Sequence, residues 1–364
     1  MNAIVVENPD HHPAYWVGAD VAKKTFDAAL LRPGLHYSPT TLREVPVAHF
    51  ARSDQGVTDF LGWLRTQLGQ VAAPVSVRLV MEATGGYSER LADWLRQQCP
   101  ALGPAIVNPR QTAAFLKSLS LDNQNDRVVA RALAFYGTER QPAPAEPLSP
   151  ARRELRALSR QRDALVKEKV REENRAEECA VTRFLTTLHK RRMAQLKRDI
   201  ARLEDRMKKI IADTLELKRD AVLLCSMPGV GFVISAVVLA ELGDVRRFRR
   251  ARQVSAFVGL SPRKTQSGTS INTPAALSKH GNPRLRQVLY LAAMVAIRGH
   301  GPLRDFYDRL TARGMCGKAA LCAVMRKMLT IMRALLIHNA SYDPLWKTRG
   351  IDQTQPVENS PANA

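Results

Sequence analysis

Cysteine is scarce and poorly spaced in this 364-residue chain. Cys99, Cys179, Cys225, Cys316 and Cys322 are odd in number and form no Cys-x-x-Cys pair. That pattern excludes a disulfide framework and a cysteine-built zinc site, and it suits a reducing cytoplasm. A long uninterrupted apolar run is also missing. The most apolar stretch, Ala221–Leu242, is broken by Pro228-Gly229-Val230-Gly231, so no membrane span is expected. The first residues lack the basic-then-apolar pattern of a secretion signal, and the expectation is a soluble protein of the cytoplasm. Acidic residues are few against basic ones, 34 to 55, a net charge of +21. The imbalance is local. Residues 1–150 hold 14 of each sign, so residues 151–364 carry the whole excess. A neutral half joined to a basic half suggests a catalytic module and a module that grips a polyanion.

The neutral half alternates strand-like and helix-like segments. Strands are expected at 14–20, 25–31, 42–50, 75–81 and 105–107, and helices at 54–69, 87–98, from Asn108-Pro109 and from Asp126. Three strands followed by alternating helices and strands is the order of a ribonuclease-H-like α/β fold. The expected catalytic domain spans 10–140, and the Pro/Ala-rich segment 141–150 forms a linker. Residues 151–217 have no Gly or Pro and are rich in charge. Within them Met193, Leu196, Ile200, Leu203, Met207 and Ile210 alternate spacings of three and four, the seam of a helical hairpin or a coiled coil, with pairing between chains the favoured form. A mainly α C-terminal domain is expected over 218–345, and a disordered tail over 350–364.

Three acidic residues in the first half stand at chain positions suited to metal binding. Asp20 follows the apolar run Tyr15–Ala19, Glu82 closes the run Val75–Met81, and Asp126 opens a helix. Carboxylates on neighbouring strand ends and a helix start can converge on magnesium ions, which activate a nucleophile and stabilise a phosphoryl transition state. Position 129 shares a helix face with Asp126, and it holds Val129, which cannot bind metal.

In the basic half, Met227-Pro228-Gly229-Val230-Gly231 precedes a helical run from Ile234 to Leu242. Gly229 and Gly231 would let backbone N–H groups approach a phosphate at a helix N-terminus, as in helix-hairpin-helix contacts; an ordinary helix-connecting turn is the alternative. The run Arg246–Arg252 adds positive charge nearby. Further on, Ser267-Gly268-Thr269-Ser270 is flanked by Arg263 and Lys264 on one side and by Lys279, Arg284 and Arg286 on the other. A serine among such cations can attack a phosphodiester, and the same pattern also describes a plain flexible loop.

Taken together, these segments resemble the bacterial insertion-sequence transposases of the IS-one-ten type, which are related to the Piv DNA invertases. The matching pieces in the first half are Val17–Lys23, Glu82-Ala83-Thr84-Gly85, Val107-Asn108-Pro109 and Asn125-Asp126-Arg127-Val128. The second half adds Met227–Gly231, Phe257–Arg263 and Gln266-Ser267-Gly268, the order and spacing holding over roughly 14–340. The resemblance implies a RuvC-like domain with a DEDD magnesium site, a coiled-coil spacer and a C-terminal domain with a catalytic serine. By position Asp20, Glu82 and Asp126 would be the first three acidic residues and Ser267 the nucleophile. It also implies a covalent serine–DNA intermediate, a structured non-coding guide RNA that pairs with donor and target DNA, and homodimers that pair into homotetramers. The departure is Val129 where the fourth Asp belongs. Asp122 or Asn125 could stand in, three carboxylates could suffice, or this copy could be a catalytically impaired nucleic-acid-binding protein. A purely hydrolytic RuvC-type nuclease is a further alternative.

Overall fold

The computed structural model describes residues 15–69, 76–119, 125–179, 182–267, 271–278 and 280–344, with residues 179, 263–267 and 271–276 considered as backbone only. The chain divides at residues 147 and 148 into two compact units.

The first unit runs β1 Tyr15–Val21, β2 Thr25–Leu31, α1 Pro39–Leu42, β3 Val47–Ala51, α2 Asp54–Leu68, β4 Val77–Glu82, α3 Gly86–Gln98, β5 Pro104–Val107, α4 Pro109–Ser118 and α5 Asp126–Arg140. Its strands form one mixed sheet in the order β3-β2-β1-β4-β5. β1 pairs antiparallel with β2 and parallel with β4; β2–β3 is antiparallel and β4–β5 parallel. Alternate strand residues point to opposite faces. Val17, Ala19, Phe26, Ala28, Leu79 and Met81 pack against Phe60, Leu64, Leu91 and Leu95 of α2 and α3. On the other face Trp16, Val80 and Val107 meet Leu133 and Tyr136 of α5, while Ala29 and Leu31 meet its Ala130 and Ala134.

One strand is shorter than its sequence suggests. The expected strand at 42–50 begins only at Val47, and a short helix takes the residues before it. Ser38 and Thr41 form a reciprocal capping box with Pro39 in the first turn, and Pro46, which has no N–H to give a ladder, stands just before the strand.

The second unit continues with α6 Pro150–Cys179, α7 Arg183–Asp213, α8 Leu215–Cys225, α9 Phe232–Leu242, α10 Ala251–Val258, β6 Pro262–Ser267, β7 Ile271–Leu277, α11 Pro283–Ala296, α12 Pro302–Ala312 and α13 Gly317–His338. The two long helices lie antiparallel, as their ion pairs Glu154–Arg206, Arg162–Glu204 and Glu168–Arg192 run in opposite directions along the chain. In the apolar seam of α7, Leu196, Met207 and Ile210 are buried, and Met207 and Ile210 share a core cluster with Leu155 of α6. The seam therefore meets a helix of its own chain. Helices α8–α13 enclose a common core around Leu224, Val237, Leu239, Leu289, Met325 and Met328.

Among its described residues this unit has one pair of strands beside its helices. Ser267 is the last residue of a strand, and the rest of its expected loop, 268–270, lies outside the described residues: β6 and β7 pair antiparallel, with Thr265 opposite Thr273 and Ser267 opposite Ile271. β-Branched residues at paired positions favour that ladder over a helix. The expected tail at 350–364 lies outside the described residues. The apolar run around Pro228 is two helices joined by a turn, and among the described residues no helix is long and apolar enough to cross a membrane.

Candidate acidic site and nucleic-acid interface

The three sequence-predicted carboxylates come together at one end of the first unit. Asp20 and Glu82 stand one residue beyond the paired Ala19 and Met81, at the ends of two adjacent parallel strands. Both share a sheet face with Trp16, Gly18 and Val80, which is the face α5 covers. Gly18 makes the close approach possible. A Cβ there would sit 2.0 Å from the Ala130 carbonyl oxygen and 2.2 Å from the Ala134 nitrogen. At Gly137 a Cβ would meet Trp16 at 2.4 Å. Helix α5 thus runs antiparallel to β1, and Asp126, one turn before Ala130, begins it at the Asp20 end of the strand.

The electrostatics follow from this convergence. Burial raises the Asp20 carboxyl to about 6, and the negative charges of Asp126, Glu82 and Asp27 add to it in that order. The Val21 backbone N–H opposes the shift. Glu82 is oriented by the Thr112 hydroxyl, which donates to its Oε2 at 2.7 Å. Two residues beyond Glu82, the Thr84 hydroxyl is buried with no hydrogen-bond partner. Arg52 holds the loop after Asp20 through the carbonyl oxygens of Ala22 and Lys23, and its guanidinium lies 4.8 Å from the ring centroid of Tyr87 on α3.

Two residues join this site that the sequence reading did not single out, Asp27 and Thr112. Asp27 is the ladder partner of Asp20. Its side chain is 8% exposed and accepts a hydrogen bond from His49 Nδ1 at 3.1 Å. The signal was available: residues 20 and 27 flank the turn of an antiparallel hairpin symmetrically, which places them opposite each other. No comparable pattern marks Thr112.

Position 129 offers no metal ligand. Val129 is half-buried against the apolar cluster of Trp16, Val80 and Val107. The Asn125 amide oxygen caps α5 by accepting from the Val128 N–H at 2.9 Å, so it is already engaged. Asp122 lies outside the described residues. The donor set of Asp20, Glu82 and Asp126 is all oxygen, surplus in negative charge and without a cationic partner among the described ion pairs, which suits a hard divalent cation. Among the described residues no three His, Cys, Asp or Glu side chains stand close enough to hold one ion as they are now oriented.

In the second unit the predicted nucleic-acid residues separate into three groups. Gly229 has φ +81°, and a Cβ there would sit 2.3 Å from the Ala292 carbonyl oxygen, so this glycine packs the turn against α11. Gly231 caps α9 with open space around it. Arg284 and Arg286 are engaged within the fold. Arg284 binds Asp163, Ser159 and Glu241, and Arg286 donates to the carbonyl oxygens of Val258 and Gly281. Burial would push Glu241 up, but hydrogen bonds and charge from Arg160, with Asn282 and Arg284, outweigh it and hold the carboxyl at about 2. Arg263, Lys264 and Ser267 are placed by backbone alone, and Lys279 lies outside the described residues. Of the basic run, Arg246 binds Asp220 and Leu336, and Arg247 lies over Phe248 and Phe257. Arg249, Arg250 and Arg252 are exposed.

Comparison with known proteins gives the family. A family model described as "Transposase", of DEDD type, matches residues 17–185, and a second, "Transposase IS116/IS110/IS902 family", matches residues 221–308. The chain is 29% identical over 329 residues to the pilin gene-inverting protein of Moraxella bovis, covering 90% of this chain and 97% of that one. It is 27% identical over 299 residues to the transposase for insertion sequence element IS1111A of Coxiella burnetii, covering 72% and 79%. The class is therefore the insertion-element transposases. Within it, this chain belongs to the IS110-type family, whose DEDD motif implies use of a divalent metal.

Proposed function

We propose that the protein is a magnesium-dependent DNA recombinase of an insertion element that cuts and rejoins strands through Ser267. The convergence of Asp20, Glu82 and Asp126 at the start of α5, with Asp20 raised to about 6 by burial and by its acidic neighbours, carries this reading. In it, Asp20, Glu82 and Asp126 hold the ion, which supplies Lewis-acid activation of a phosphodiester. Glu82 is kept in place by Thr112. Ser267, at the end of β6, gives up its hydroxyl proton and attacks the phosphorus; the P–O bond to one neighbouring sugar breaks, that sugar leaves as a protonated hydroxyl, and the cut strand stays as a phosphoserine ester that the hydroxyl of another strand can attack in rejoining. A structured RNA selects donor and target by base pairing while the protein binds backbone through its basic second unit. Copies of the chain act as dimers and tetramers. The family membership and the DNA-inverting relative support the DNA reaction; the RNA and the assembly rest on the resemblance of the motifs.

The test is a recombination assay with adduct trapping on element-end DNA. Ser267→Ala is expected to abolish both product and covalent adduct, and Asp20→Asn to abolish both in magnesium. A Ser267→Ala protein that still cuts DNA would make the chain a hydrolytic nuclease. One observation favours a second reading, an impaired copy that only binds nucleic acid: Val129 is part of an apolar cluster rather than of the acidic set. Recombination by Val129→Asp with a silent parent would establish that reading, and equal activity in both would remove it.

A further inference from the structure

A groove of about 800 Å³ opens in the second unit between α12, α13 and the base of the β6–β7 pair. Its floor is apolar, with Phe306 of α12 and the small side chains Ala319, Cys322 and Ala323 of α13. Its rim is cationic. Lys318, Arg326 and Lys327 line it, and no carboxylate pairs with them among the described ion pairs. Lys327 Nζ lies 6.0 Å from the Phe306 ring centroid. Lys318 and Arg326 are eight residues apart on one helix, about 12 Å along its axis.

We propose that this groove takes an unpaired stretch of a DNA strand, with bases on the apolar floor and phosphates on Lys318, Arg326 and Lys327. Three unpaired cations select a polyanion. A duplex offers its phosphates but keeps the flat faces of its bases stacked inside, and would leave the floor without a partner; an unpaired strand offers both. The volume is within the range of sites that enclose small ligands, which one or two nucleotides match. Among the described lining residues Thr330 is the only one with an uncharged hydroxyl or amide side chain, so ribose 2′-hydroxyls would find almost no side-chain acceptor on them, and the groove suits DNA over RNA.

Position adds the route. Leu260, Pro262 and Leu277 wall the groove, and Pro262 and Leu277 pair at the end of the strand pair away from Ser267. Five residue steps along β6 span about 17 Å. Where Ser267 is the nucleophile, a strand leaving the reaction point meets the groove within a few nucleotides; this part of the inference rests on the function proposed above.

The test uses the full chain and fluorescence anisotropy with labelled oligothymidine, the same length of oligouridine, and a duplex. Arg326→Gln with Lys327→Gln is expected to weaken oligothymidine about tenfold while duplex binding changes less than about twofold. Arg249→Gln with Arg250→Gln is expected to weaken duplex binding and spare the preference for oligothymidine. A second measurement needs no variant. Cys316, exposed at the groove, should react more slowly with a maleimide when oligothymidine is bound, while Cys225, exposed on α8 outside it, is unchanged. Equal losses on duplex and single strand, tighter binding of oligouridine, or unprotected Cys316 would each overturn the proposal and leave the recombinase reading standing. A chain that binds no DNA in any form would remove both.

Discussion

Asp20 on β1 and Asp27 on β2 are ladder partners, two carboxylates facing the same side of the sheet under the start of α5. Their repulsion is part of what holds Asp20 near 6. Asp27→Asn is therefore expected to move the Asp20 carboxyl down toward the ordinary carboxylate range, read from its side-chain carbon shift in an NMR pH titration. An unmoved Asp20 would mean that burial, Glu82 and Asp126 account for the whole effect.

The same shift gives stability a direction. A carboxyl raised from 3.8 to about 6 in the folded chain contributes stability that is complete below 3.8 and is lost as pH rises through 6. A divalent cation acts in the opposite sense, because it favours the ionised form. Added magnesium or manganese is thus expected to raise the melting temperature of the first unit at about pH 7.5 and to have little effect at about pH 5, where protons compete for Asp20. Equal stabilisation at both values would count against an ion held by this carboxylate.

Val129 gives a related prediction that compares two buffers. Its side chain packs with Trp16, Val80 and Val107, so Val129→Asp places a carboxylate at an apolar edge beside existing negative charge. Metal-free, the variant should lose about 1–3 kcal/mol in denaturant unfolding. With divalent ion the loss should shrink if position 129 reaches the ion, and persist unchanged if it does not.

The sequence revealed most of this first unit because its signals are local. Short apolar runs mark β1, β2 and β4, and Asn108-Pro109 and Asn125-Asp126 carry their own caps, so strand ends and helix starts, where the acids stand, were legible. Asp27 needed the register of a hairpin as well, and Thr112 needed a contact 30 residues away in the chain. In the second unit the basic residues are a stronger lesson. Composition counts Arg284 and Arg250 alike, but Arg284 neutralises Asp163 and Glu241 inside the fold while Arg250 is exposed. Charge pattern shows that a polyanion partner is expected; only the three-dimensional pairing shows which cations are available to it.

The two glycines of the turn before α9 should likewise respond differently. Gly229→Ala requires both a left-handed backbone and a Cβ 2.3 Å from the Ala292 carbonyl oxygen, and should cost at least about 1–3 kcal/mol or prevent folding. Gly231→Ala meets no atom within 4 Å and should leave the melting temperature within a few degrees. If Gly231 approaches a DNA phosphate, its variant should still fold and bind DNA more weakly.

Salt dependence separates the two kinds of arginine. Each phosphate contact removed lowers the slope of log affinity against log salt by about 0.9 on duplex DNA. Replacing Arg249, Arg250 and Arg252 by Gln should therefore flatten the slope by about 2 to 3 without changing stability, since surface substitutions away from packed features usually fall within about 0.5 kcal/mol. Glu241→Gln or Arg284→Gln should act the other way. Glu241 is 2% exposed; Arg284→Gln leaves it with Arg160, and Glu241→Gln leaves Arg284 with Asp163, so each variant weakens a buried network without stripping it of partners and should cost about 1–3 kcal/mol, seen as a lower unfolding midpoint. Because Glu241 titrates at about 2 in the fold and near 4.5 unfolded, its share of stability is present above 4.5 and is lost as pH falls toward 2. A measured salt slope that falls for Arg284→Gln in a chain of unchanged stability would show that this arginine contacts phosphate after all, and that the ion-pair network rearranges when DNA binds.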